Sequence, residues 1–158
     1  MLLLLDIDGV LVPAKSWERP EQLNDGFSNF HPKAVMALNK VLTASGASII
    51  LTTSHRKSFS IDKWIQIFST RGIHETTISI LNLNSDRRFQ TRALEIQDWY
   101  NFVGENENFV VIDDDTSLND LPPRIKRRCV ITKPYIGLDD AGADDAIRIF
   151  RGGIKFNS

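Results

Sequence analysis

Cysteine is almost missing: Cys129 stands alone among 158 residues. That rules out an intrachain disulfide and a zinc site built on several thiolates. No apolar run approaches the roughly 18 residues that a membrane span needs. Charge of one sign is also lacking. A net charge of -1 creates no global field toward nucleic acid or membrane, so any such attraction must come from a local patch. Internal repeats, low-complexity segments and an evident linker are absent, which suits one domain, 1–158, with one core. The apolar opening Met1–Leu5 has no basic residues beside it and is interrupted by Asp6 and Asp8. It reads as a buried strand of a cytoplasmic protein rather than as a leader.

What is present alternates short apolar runs with amphipathic stretches. Leu2 to Ile7, Ala47 to Thr52, Thr77 to Leu81, Phe109 to Ile112 and Cys129 to Thr132 read as strands. Between them fall helical patterns. Pro32 opens one that carries Val35, Leu38, Val41 and Leu42 and stops at Gly46. Ser60 caps a second, with Ile61, Trp64, Ile65 and Phe68 as its apolar face. A third carries Ile96, Trp99, Tyr100 and Val103, and a last one Ala143, Ala146, Ile147 and Phe150. The stretch 9–30 has no period and is expected to be a flap or minimal cap loop. This order predicts an α/β, doubly wound, Rossmann-like parallel sheet with helices on both faces and no large cap.

In such sheets ligands bind outside the carboxyl ends of the strands. Asp6 and Asp8, Thr52 and Thr53, and Asp113 to Asp115 all fall at those ends. Asp6 and Asp8 are two apart, so a strand would point both to one face. Buried carboxylates crowded together repel, and a divalent cation relieves that penalty; an all-oxygen donor set suits magnesium. Either acidic cluster alone would read as a turn or a helix cap. Two of them, with a hydroxyl pair on a third strand, point to a site.

These residues carry a family resemblance. Leu4-Leu5-Asp6-Ile7-Asp8-Gly9-Val10-Leu11 resembles the first motif of the haloacid-dehalogenase (HAD) superfamily. Ile49-Ile50-Leu51-Thr52-Thr53-Ser54 resembles its second motif, and Val110-Val111-Ile112-Asp113-Asp114 its fourth. The chain is most similar to the small HAD domains of RNA-repair proteins, related to polynucleotide 3'-phosphatases. There a Ser/Thr-rich second motif runs into Trp-Arg, where this chain has His55-Arg56, and a basic residue opens the next helix, as Arg92 does here.

The resemblance implies a Mg2+-dependent phosphomonoester hydrolase. Asp6 would be the nucleophile, forming an aspartyl-phosphate, and Asp8 the acid/base. Magnesium would be held by Asp6, the Asp8 main-chain carbonyl and Asp114, with Asp113 as a ligand through water or an orienting group. Thr52 and Thr53 would hold phosphoryl oxygens, with Arg92 as the cation beside them, and Lys57 and Arg88 as lesser candidates. Arg56, whose fork suits phosphate, and His55 would touch the substrate. The implied partner is a phosphorylated substrate, an RNA or DNA end or a nucleotide, since an open site suits a bulky ligand. A phosphoprotein or a small metabolite is the alternative substrate, and a metal- and phosphate-binding module without turnover the alternative role. A receiver-type signalling domain fits poorly, because no Asp ends the Thr77–Leu81 run. No membrane contact is expected, and the oligomeric state stays open.

The remaining candidates have plain readings. His31 precedes Pro32 and suits a helix start; His74 suits a loop. Arg124, Lys126, Arg127 and Arg128 form the densest basic run, a solvated face unless it adjoins the site, where it could hold a polynucleotide backbone. Trp17, Phe27 and Phe30 could stack a base from the flap but more readily pack the loop onto the domain.

Overall fold

Four consecutive leucines, Leu2–Leu5, form the central strand β1, with Leu3, Leu4 and Leu5 fully buried. A strand flanked on both sides and covered on both faces has no polar side to show, which is why its sequence does not alternate. The computed structural model describes residues 1–15, 17–74, 76–83 and 91–152. After β1 come α1 (Pro32–Ser45), β2 (Ser48–Leu51), α2 (Ile61–Thr70), β3 (Ile78–Ile80) and α3 (Arg92–Phe102). Then follow β4 (Phe109–Asp113), α4 (Pro123–Lys126), β5 (Cys129–Ile131) and α5 (Asp140–Gly152). The sheet is five-stranded and wholly parallel, in the order β3-β2-β1-β4-β5. Among the described residues no helix is long and apolar enough to cross a membrane.

Alternation along the strands splits the core in two. Leu3, Leu5, Ile49, Leu51, Val110 and Ile112 pack under α1, α2 and α5. Leu4, Phe109 and Val111 pack on the other side against Ala93, Ile96 and Trp99 of α3 and Ile125 of α4. The doubly wound expectation is borne out. Helix signals act as written: His31 caps α1 by accepting the Lys33 N–H, Ser60 caps α2, and Gly46 ends α1 at φ 67°. Two stripes differ from expectation. In α2 the buried face is Trp64, Ile67 and Phe68, and Ile61 and Ile65 are 44% and 42% exposed. At about 100° per residue they fall on the rim of the face centred on Trp64. Val103 lies beyond α3 and is half exposed.

The 9–30 stretch carries no helix or named strand, and it is fastened down. Arg71, at the end of α2, sends its guanidinium to both oxygens of Asp25 at 2.6 and 2.9 Å. The same group donates to the carbonyls of Phe27, Ser28 and Ile67. Phe27 packs edge-on against Phe59 and Trp64, and Phe30 against Phe68. Both rings serve packing.

Candidate active site

Register brings the chemistry together. Leu5 pairs with Leu51 on one side and Ile112 on the other, so one residue further Asp6 stands level with Thr52 and Asp113. Two hydrogen bonds carry the ladder that extra step, Asp6 N–H to Ile112 O at 3.1 Å and Thr52 N–H to Leu5 O at 3.0 Å. By alternation Asp6 shares a face with Leu4, and Asp113 with Val111, which is the face that α3 covers. The order in which strands are added reverses between β1 and β4: the chain leaves β1 for β2 and β3 on one side and later fills the other with β4 and β5. The site therefore lies at the switch point where α/β sheets bind ligands.

Asp6 is 6% exposed and Asp113 is fully buried. One carboxylate oxygen from each of Asp6, Asp113 and Asp114 lies within 4.8 Å of the others. Gly9 makes this possible. It sits at φ +78°, and a Cβ there would collide with the Asp114 carboxylate, so only glycine lets the loop after β1 lie against the acid from β4. Burial, with the Asp113 carboxylate beside it, pushes Asp6 up to about 8. Burial also raises Asp113, against the pull of Arg92.

Arg92 is the cation among these acids. Its Nε is 3.0 Å from Asp113 Oδ2 and its Nη2 is 3.8 Å from Asp6 Oδ1. The Nε approach is ionic: among the described residues neither Arg92 Nε nor Asp113 Oδ2 has a hydrogen-bond partner. Arg92 Nη1 donates to the Thr52 carbonyl and to Glu95 Oε1 at 3.2 Å. A cation at a helix start opposes the helix dipole; here the side chain turns back to the acids beyond the N-terminus of α3. The Asp115 carboxylate caps the following 3-10 turn through the Ser117 N–H at 2.9 Å and lies outside the acid cluster.

The Thr52–Arg56 segment forms the second wall. Thr52 Oγ1 is buried and has no hydrogen-bond partner among the described residues, and Thr53 Oγ1 accepts the His55 N–H at 3.2 Å. Arg56 is buried beneath the loop. It donates to Glu95 Oε2 at 2.8 Å and to the Thr52 and Thr53 carbonyls at 3.3 Å. Glu95 thus ties Arg56 to Arg92, a link whose only sequence signal is its i, i+3 spacing from Arg92. Asp8 is not one of the three clustered acids; its side chain is 58% exposed, and His55 Nε2 lies 3.1 Å from its Oδ2.

Other candidates are placed as follows. Lys57 is exposed; Arg88 lies outside the described residues. The basic run 124–128 is at the far edge of the sheet. Arg128 Nε donates to the carbonyl of Phe109, the first residue of β4, and Arg124 stacks on Tyr100. A segment that leads into a parallel strand sits at its amino end, opposite the acids. Trp17 is 78% exposed.

The acid cluster fits a magnesium ion. Its donors are all carboxylate oxygens, and among the described residues they outnumber the arginine beside them and Asp113 Oδ2 has an unmet hydrogen-bonding capacity.

The sequence matches the family described as "HAD domain in Swiss Army Knife RNA repair proteins" over residues 2–143. No curated protein matches it. Among solved structures, a hypothetical protein from Xanthomonas campestris is 15% identical, with 99% of this chain and 85% of that one covered, at a TM-score of 0.46. A protein described as a HAD superfamily (subfamily III A) hydrolase from Legionella pneumophila is 19% identical, with coverage of 97% and 85%, at a TM-score of 0.43. Likenesses of that order carry no inference about chemistry.

Proposed function

The chain belongs to the family of HAD domains found in Swiss Army Knife RNA repair proteins, and from that premise we propose that it is a magnesium-dependent phosphomonoester hydrolase acting on a terminal phosphate of a nucleic acid or nucleotide. The observation that carries the reading is the level placement of Asp6, Thr52 and Asp113 at three adjacent strand ends, with Asp114 and Arg92 closing on them.

Asp6 is the nucleophile: a carboxylate oxygen forms a bond to phosphorus as the bond to the leaving oxygen breaks, giving an aspartyl-phosphate. Asp8, in its protonated form, gives its proton to the leaving oxygen. It then takes one from the water that attacks the aspartyl-phosphate, and so restores Asp6. The Thr52 hydroxyl, buried and without a partner among the described residues, donates to a phosphoryl oxygen. Arg92 offsets the charge shared by the nucleophile and the phosphoryl group. The side chains of Asp6, Asp113 and Asp114 and the main-chain carbonyl of Asp8 would hold magnesium, which when bound supplies the positive charge that phosphoryl transfer needs. The family's place in RNA repair proteins supports a polynucleotide end as substrate, and so does the absence of a separate cap among the described residues.

The test is release of phosphate from a 3'-phosphorylated RNA oligonucleotide, a phosphopeptide and a small sugar phosphate, each with and without magnesium. Turnover greatest on the oligonucleotide supports the reading, and turnover greatest on either of the others replaces its substrate class.

A further inference from the structure

We propose that His55 is a positioning residue that holds the Asp8 carboxylate in the orientation needed for proton transfer, rather than a contact to substrate. The proposal rests on the acid/base role given to Asp8 above. An aspartate exposed at more than half its side chain has no packing to fix its two torsions, and an acid/base group must keep one oxygen on the reacting atom. His55 Nε2 at 3.1 Å from Asp8 Oδ2 supplies the missing restraint. It engages one carboxylate oxygen and leaves Oδ1 to deliver the proton to the leaving oxygen and to accept one from water.

His55 is itself held from two sides. Its main-chain N–H is tied to Thr53 Oγ1, and its ring meets Phe27 edge-to-face, with centroids 6.3 Å apart at 83°. Phe27 in turn is fixed by Phe59 and Trp64, by its carbonyl's bond from Arg71, and by its own N–H on Asp25. A continuous set of contacts therefore runs from the buried Arg71 through the 9–30 loop to the acid/base. In this way the 9–30 loop shapes the chemistry of the site. His55 directly follows the second motif, three residues after Thr52, so the segment that would hold the phosphoryl oxygens also aims the proton donor.

Leaving-group dependence separates positioning from mere structure. Expulsion of a good aryl leaving group needs little protonation, whereas a poor alkoxide needs it fully. His55→Ala is expected to lower kcat/KM for a nucleoside 3'-phosphate by about tenfold to a hundredfold and to leave that for an aryl phosphate nearly unchanged. His55→Gln, which keeps an N–H donor, is expected to restore most of the loss. Equal loss on both substrates, or a rise in KM alone, would overturn the proposal. A second measurement does not depend on turnover. Scalar couplings of the Asp8 β-protons should report one rotamer in the wild type and in His55→Gln, and averaging in His55→Ala. Averaging in the wild type would overturn the pairing. Lack of phosphatase activity with a fixed Asp8 rotamer would instead defeat the reaction assigned above.

Discussion

Arg71 and Arg92 are both arginines pulled out of water to face aspartates, and the two sites are opposite in character. Arg71 meets one carboxylate with a two-pronged contact, and its remaining N–H groups end on main-chain carbonyls. The hydrogen bond from Arg71 pulls Asp25 down to about 2. Arg92 meets Asp6, Asp113 and Glu95 at once, and burial drives Asp6 up to about 8. Buried atoms there, Thr52 Oγ1, Arg92 Nε and Asp113 Oδ2, lack hydrogen-bond partners among the described residues. A buried ion pair with every group satisfied fastens a loop. One with surplus acid and unmet donors is a site that a ligand completes.

Exchanging each arginine for alanine should separate the two sites most visibly. Arg71→Ala strands Asp25 and frees the loop, and is expected to lower stability by about 3–5 kcal/mol, read from denaturant unfolding. Arg92→Ala removes the cation from the acid cluster and is expected to cut kcat by about 10²–10³ with a smaller loss of stability. If both variants lose stability equally and Arg92→Ala keeps full turnover, the distinction fails. Next in size is Gly9→Ala, which pushes a Cβ into the Asp114 carboxylate. Magnesium affinity measured by calorimetry should weaken by about tenfold or more.

Titration sharpens the contrast. The native pKa of Asp6 is raised above its unfolded value of 3.8, so the metal-free native state holds a proton that the unfolded chain has lost. Stability should then fall as pH rises from near 4 through about 8. Asp6→Asn makes that slope shallower, leaving the part that the raised Asp113 contributes, and should melt about 2–4 °C higher than the wild type above neutral pH without metal. A wild-type melting temperature that rises over this range would contradict it. For Asp25 the sign reverses. Its depressed pKa contributes stability above 3.8 that disappears as pH falls through about 2. Asp25→Asn should cost about 2 kcal/mol at neutral pH, and the difference should vanish in strong acid.

Much of this was legible in the sequence because it is local. Apolar runs ending in Asp6, Thr52 and Asp113 give both the strands and the polar residues at their carboxyl ends, and a parallel sheet must gather such ends at one edge. The same rule places the 124–128 run at the opposite edge, since it leads into β5, although its charge density invites a nucleic-acid reading. Pairings between distant residues were not legible. Nothing near Asp25 marks Arg71 as its partner 46 positions away, and nothing beside Thr53 tells whether the Arg56 fork faces the site or lies under it. Glu95 decides that, by drawing Arg56 inward to meet Arg92. Gly9 was legible as a turn; its close approach to Asp114 was visible only once β1 and β4 were adjacent.

The central claim is that Asp6 is a nucleophile in a magnesium-completed acid cluster. Its most direct test is phosphate release from an aryl phosphate by the wild type and by Asp6→Asn, with magnesium and with the metal chelated. Turnover by the wild type that chelation and Asp6→Asn each abolish is the result expected here. Turnover that survives Asp6→Asn, or no turnover by a wild type that binds magnesium, would contradict it.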